Sequence, residues 1–199
     1  VSGPLTLASE LSKRPVVTLG GEAVARVKDT VFDGLAGQIT GFTLNGLGLL
    51  SGPLAQSLPW SGVHALGPHA VMIPGPGVLT EPGAVVASGE AARGAVLGVR
   101  VLTDDGREVG SVQDVVVERD GRVAGFRVAA AEPLDHRRRS LFVPRGEALA
   151  ASGQALVVPS GACCFTADDL PSFTAQVEVF RARQAKAAGH GPSGTEDVR

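Results

Sequence analysis

The sequence predicts an all-β chain: two tandem small antiparallel β-barrels, followed by a C-terminal amphipathic α-helix. Three observations predict it. The first is a repeat: Val24-Ala25-Arg26-Val27-Lys28-Asp29-Thr30-Val31 returns as Val109-Gly110-Ser111-Val112-Gln113-Asp114-Val115-Val116, and Gly37-Gln38-Ile39-Thr40-Gly41-Phe42 returns as Gly121-Arg122-Val123-Ala124-Gly125-Phe126. The interval from Pro59 to Pro74 is matched by that from Pro144 to Pro159. A period of about 85 residues exceeds that of solenoids, so each copy is expected to be a small domain with its own core. The second is a succession of short β-branched runs punctuated by glycine turns, with no helical period in either copy. The third is a change of pattern after Pro159, where Leu170, Phe173, Val177 and Phe180 form a narrow apolar stripe at helical spacing.

In copy one, residues 15–18 read as a short strand and Gly20-Gly21 as a hairpin turn. Residues 23–32 form the next strand, with Ala25, Val27 and Val31 on one face and Arg26 and Lys28 on the other. A glycine turn leads into a strand at 39–44; a further strand ends at Leu58-Pro59, and the last spans 70–74. Copy two follows the same plan, with turns at Asp104-Asp105-Gly106 and Asp120-Gly121 and strands running into Val143-Pro144 and Pro159. Closure into a barrel is favoured because it removes sheet edges that so small a unit could not otherwise protect. The expected boundaries are 1–78 for the first barrel and 79–94 for a Gly/Pro-rich linker. The second barrel is expected at 95–163, the helix at 164–188, and a polar disordered tail at 189–199. Thr166-Ala167-Asp168-Asp169 with Pro171 marks the helix start.

Composition narrows the function classes. The chain has 199 residues, and a copy of roughly 75 buries only about 60% of its unfolded surface, so the copies are expected to pack on each other, on the C-terminal segment or on a partner. A net charge of −2 gives no global drive toward nucleic acid or acidic lipid. The two cysteines, Cys163 and Cys164, are adjacent and have no others to pair with, which points to a reducing compartment or to indifference to redox. Residues 1–10 do not read as a signal peptide, and no apolar run is long enough for a membrane span, so a cytoplasmic protein is expected. The excess of Arg over Lys, with abundant Ala, Gly and Val, points to a GC-rich bacterial genome.

No catalytic constellation stands out. Asp29 and Asp114 recur on what reads as the face of the neighbouring valines. Such carboxylates need hydrogen bonds, and a structural role at a bulge or turn is favoured over a base or metal ligand. The histidines are scattered without ligand spacing, and Cys163-Cys164 reads as a buried pair rather than a redox or soft-metal site. No cofactor is expected; Gly46-Leu47-Gly48 lacks the helix that a dinucleotide site needs. Two surface features carry more weight. From Gly34 through Thr80 there is no Asp, Glu, Lys or Arg, and Leu47, Leu49, Leu50, Leu54 and Trp60 stand in that stretch as a candidate partner surface; burial against copy two or the C-terminal helix is the alternative. In copy two, Arg137, Arg138 and Arg139 could grip phosphates, but Glu132 and Asp135 offset them and no aromatics interleave, so nucleic acid is the disfavoured partner.

The segment Val27-Lys28-Asp29-Thr30-Val31-Phe32-Asp33, the GG and DG hairpins, and Leu58-Pro59-Trp60-Ser61-Gly62-Val63 together resemble the PRC-barrel family. The resemblance covers both copies, roughly residues 11–74 and 96–159, and departs where Arg145 takes the position of the tryptophan in copy two. It implies a small β-barrel that docks onto larger assemblies without catalysis, as in the cytoplasmic domain of the photosynthetic reaction-centre H subunit and the C-terminal domain of a ribosome maturation factor. The function expected from these readings is a non-enzymatic adaptor that binds another protein, of unidentified kind. The alternative is an RNA- or ribosome-associated assembly factor. The helix stripe either locks the two barrels together or mediates a homodimer, and the copies are expected to pack as a pseudo-symmetric pair.

Overall fold

A computed structural model describes residues 4–33, 37–48, 51–81, 83, 85, 91–92, 96–131, 140–145, 150–151 and 155–188. Copy one contains β1 (Thr6–Leu7), α1 (Ala8–Leu11), β2 (Pro15–Thr18), β3 (Ala23–Asp33), β4 (Gln38–Asn45), β5 (Pro53–Pro59), β6 (Ala65–Leu66) and β7 (Val71–Ile73). After β8 (Ala91–Ala92), copy two supplies β9 (Arg100–Thr103), β10 (Glu108–Val117), β11 (Val123–Ala130), β12 (Ser140–Pro144), β13 (Ala150–Ala151) and β14 (Ala155–Val158). Helix α2 (Leu170–Ala188) closes the described chain. The two sheets have one topology, β5-β4-β3-β2-β7-β6 and β12-β11-β10-β9-β14-β13. Neighbours are antiparallel except that β2 pairs with β7, and β9 with β14, in parallel. A parallel pair needs a crossover rather than a hairpin. In copy one that crossover holds the 3-10 turn Trp60–Gly62 and β6.

The hairpins match atom for atom. Thr18 N–H donates to Glu22 O (2.8 Å) and Gly21 N–H to Thr18 O (2.9 Å), while the Thr18 hydroxyl accepts from Glu22 N–H (3.2 Å). Thr103, Gly106 and Arg107 repeat the set at 2.8, 2.9 and 3.0 Å. Both threonines are buried, and the local bonds satisfy the groups that burial takes from water.

The long strands β3 and β10 change face midway. The β3–β4 ladder steps from Val27↔Leu44 to Asp29↔Thr43, and the β10–β11 ladder from Val112↔Val128 to Asp114↔Arg127. Lys28 and Gln113 are therefore the extra residues of matching β-bulges, each of which inverts the inside–outside alternation beyond it. In β10 the interior residues are Val112, Val115 and Val117, while Val116 joins a second cluster on the outer face with Phe142 and Phe173. In β3, Phe32 rather than Val31 continues the core of Ala25 and Val27. Val31, expected on the face of Val27, lies on the other one because of this bulge.

The outer faces so created are covered in the same way in both copies. After its last strand each copy returns along its edge strand, at Thr80 beside Ser57 and at Ala167 beside Phe142. Each then sets one apolar side chain over a glycine of the strand next to that edge, β4 or β11. A Cβ on Gly41 would sit 2.7 Å from Val85 Cγ1, and one on Gly125 would sit 2.6 Å from Phe173 Cζ. These bridges also occupy part of the edges that β5 and β12 would otherwise present to other chains.

The copies are joined around a local two-fold axis. Ile39 N–H donates to Gly121 O (2.8 Å) and Val123 N–H to Gly37 O (2.7 Å), so equivalent residues Gln38 and Arg122 face each other across an antiparallel bridge. The leading strands are exchanged: β1 pairs with β10 at Val116–Val117, and β8 pairs with β3 at Val31–Phe32, the equivalent residues. Residues 79–94, expected as a linker, thus contribute a strand to the first sheet, and the buried apolar residues of both copies merge into one cluster. Separate cores were expected; the exchanged arms and the shared seam join them.

Helix α2 spends its apolar stripe inside the chain. Phe173, Val177 and Phe180 are buried; Phe173 lies 5.5 Å from the Phe142 ring and Phe180 5.3 Å from Phe165. Asp169 caps the start, its carboxylate accepting Ser172 N–H at 2.7 Å.

Candidate protein-docking surface and the seam between the copies

The uncharged stretch of copy one divides between core, seam and surface. Leu58 is fully buried in the core. Trp60, half-buried, stacks at a tilt on Phe42 with ring centroids 6.3 Å apart. Its six-membered ring also lies over Gly121 of copy two, where a Cβ would approach Cε2 and Cζ2 to 2.6 Å. Arg145 stands at the equivalent place in copy two and lays its guanidinium over Gly37 of copy one. The substitution of arginine for tryptophan therefore falls at a contact used reciprocally, one ring and one guanidinium each covering the other copy's turn glycine. Part of the missing charge in copy one is explained here: that surface meets the second copy.

The β4–β5 hairpin is outward, as is the crossover that carries His64 and His69. On the hairpin, Leu47 is 44% exposed and is, with Leu19 and Val179, among the few large apolar side chains left exposed among the described residues. The turn beneath it is tied by Gly46 N–H to Gly52 O (3.2 Å), Ser51 N–H to Gly48 O (3.0 Å) and Gly48 N–H to the Ser51 hydroxyl (2.9 Å). These bonds tie the two sides of the hairpin together at Gly46, Gly48, Ser51 and Gly52. Leu54 is half-buried and packs against the core, whereas Pro53, Ala55 and Gln56 are exposed. Leu49 and Leu50 lie outside the described residues, as do Arg137, Arg138 and Arg139 and the whole 189–199 tail.

Asp29 and Asp114 sit at the two bulges. Asp114 is 5% exposed; its Oδ1 accepts Val115 N–H (2.9 Å) and Ser9 N–H from the exchanged N-terminal arm (3.2 Å). Asp29 Oδ1 accepts Thr30 N–H at 2.9 Å. Neither shares the face of the valine two residues earlier, because the bulge intervenes. Among the described residues no group of three or more His, Cys, Asp or Glu could hold a metal ion. His64 and His69 are exposed on the crossover.

Cys163 and Cys164, expected as a buried pair, are half-buried and exposed, and both are free. They lie in a 3-10 turn (Ser160–Phe165) whose inward positions are taken by Ala162 and Phe165. Burial raises the Cys163 thiol above its ordinary pKa, with Arg107 pulling the other way, which keeps it in the unreactive thiol form.

Sequence reasoning missed one cluster, a cleft at the two-fold axis where Arg122, Arg145 and Arg181 converge. They are far apart in sequence, and only the seam and α2 bring them together. No helix among the described residues is long and apolar enough to cross a membrane.

No curated protein matches the chain. The family model of the PRC-barrel domain matches twice, over residues 6–79 and 90–162. Both matches include the leading arms, β1 and β8, so each arm belongs by family to one copy and pairs with the sheet of the other. PRC-barrel domains form a non-catalytic family that serves in protein interaction and assembly. With two matches that together cover most of its length, the chain belongs to the PRC-barrel domain family, one domain in each half.

Proposed function

We propose that this chain is a non-enzymatic adaptor acting in the cytoplasm, and that it holds a protein partner through the uncharged β4–β5 hairpin of copy one, residues Leu47, Leu49, Leu50 and Leu54. The observation that carries the reading is Leu47. It is an exposed leucine beside the Gly48–Ser51 hydrogen bond, in a stretch with no charged side chain from Gly34 to Thr80. An exposed apolar side chain in an uncharged surface is the kind of anchor that a partner's pocket can desolvate. Trp60 enters this reading as support, since its ring is committed to the seam. The free thiols Cys163 and Cys164 fit a reducing compartment.

The test is an affinity capture from the native host with and without nuclease, comparing the unmodified chain with the double variant Leu47→Asp/Leu49→Asp. The proposal requires a captured protein that survives nuclease and is lost in the variant while the fold is kept. Capture that survives both treatments in the variant refutes the assigned surface. Loss of all capture on nuclease treatment refutes the protein partner and moves the role to RNA through Arg137, Arg138 and Arg139.

A further inference from the structure

A cleft of about 560 Å³ opens at the two-fold axis, away from the β4–β5 hairpin. Gln38 of copy one, Arg122 and Arg145 of copy two, and Arg181 and Gln184 of α2 supply its polar lining, over an apolar wall that includes Phe180. Among the described residues, no carboxylate lines it. The acids that balance these arginines are not among the lining residues. Arg181 Nη2 donates to Oε1 of Glu118, itself nearly buried, and Arg122 Nε lies 3.5 Å from Asp120 Oδ2. Asp33 is close enough to Arg145 to favour its charge.

A guanidinium carries five N–H donors, and one carboxylate engages at most two of them, so Arg122 and Arg181, paired with Asp120 and Glu118, can still turn donors toward a second anion. The Arg145 guanidinium lies close against Gly37, where a Cβ would collide with its Nη1. Burial holds the Arg145 guanidinium below its ordinary pKa, a cost that an incoming anion would offset. Three guanidinium groups from three parts of the chain, with the amides of Gln38 and Gln184, line one cleft, a donor set suited to carboxylate or phosphate oxygens. The volume falls in the range of roughly 300–1,000 Å³ typical of small-molecule sites.

We propose that this cleft binds a small organic polyanion through its carboxylate or phosphate oxygens, and that the ligand bridges the two copies and α2. The site is separate from the docking hairpin, so failure of either proposal leaves the other standing.

Calorimetric titration of the full chain with citrate and with inorganic pyrophosphate, at low and at moderate salt, tests it and separates the two ligand chemistries. Saturable one-to-one binding of at least one probe is expected, weakened about tenfold or more by Arg145→Gln. Ala185→Glu, at an exposed position on the cleft wall, is expected to abolish binding while leaving the melting temperature of the free protein unchanged. Absence of saturable binding by either probe overturns the proposal, as does equal binding by both variants. So does retention of a single-stranded oligonucleotide in preference to both probes, which would make the cleft part of a nucleic-acid track.

Discussion

The substitution Gly121→Ala isolates the seam. Gly121 has φ +84° and Gly106 has φ +86°, so alanine at either position carries the same left-handed strain, roughly 1–2 kcal/mol. The surroundings differ. A Cβ on Gly106 meets nothing within 4 Å, whereas one on Gly121 meets the Trp60 ring at 2.6 Å. The ring also packs on Phe42 and cannot swing away freely, so forcing it aside adds an overpacking cost of about 1–3 kcal/mol. Urea denaturation of Gly106→Ala should therefore show a loss of roughly 1–2 kcal/mol, and Gly121→Ala a loss of roughly 2–5 kcal/mol. In a Trp60→Ala background the excess at position 121 should vanish, a coupling readable from the double-mutant cycle. Equal losses at the two glycines, or an excess that persists without Trp60, would refute the packing of copy one's ring on copy two's turn.

Other expectations follow from the same contacts. Phe173→Ala removes a fully buried ring that covers Gly125 and contacts Phe142; it should cost about 3–5 kcal/mol by denaturation and loosen α2 in far-ultraviolet circular dichroism. Asp114→Ala leaves the amides of Val115 and Ser9 without that acceptor, for a loss of roughly 1–3 kcal/mol, and should speed hydrogen exchange in the N-terminal arm. The Asp169 carboxyl is held below its ordinary pKa by the backbone N–H of Ser172, so its capping contribution is complete above the unfolded value and fades as pH falls through the folded one. Fraying of the first turn of α2 is therefore expected on acidification, and Asp169→Asn, which still caps, should remove that pH dependence.

Much of the architecture was legible because it is written in local chemistry that occurs twice. Glycine turns at Gly21, Gly106 and Gly121, the alternating valines, and the 3-4-3 stripe of α2 each have a short-range physical cause. The bulges at Lys28 and Gln113 were not legible, since valines on both sides of a strand conceal the point where alternation inverts. Only the ladder with the neighbouring strand reveals it. Strand β8 was hidden because Ala91-Ala92 carries no strand signal, and its place comes from pairing with another part of the fold. For the same reason Trp60 could be seen as apolar and unusual, but whether it faced a partner or the second copy depended on the seam. The arginine cleft is the extreme case: Arg122, Arg145 and Arg181 have no spacing in common.

The central claim is that the two domains form one cooperative body, joined by exchanged arms, the Gln38–Arg122 bridge and the ring on Gly121. Differential scanning calorimetry of the full chain tests it most directly. One transition is predicted, with calorimetric and van't Hoff enthalpies equal, and Gly121→Ala should shift the whole of it to lower temperature. Two resolved transitions, of which that variant moves only one, would contradict the claim.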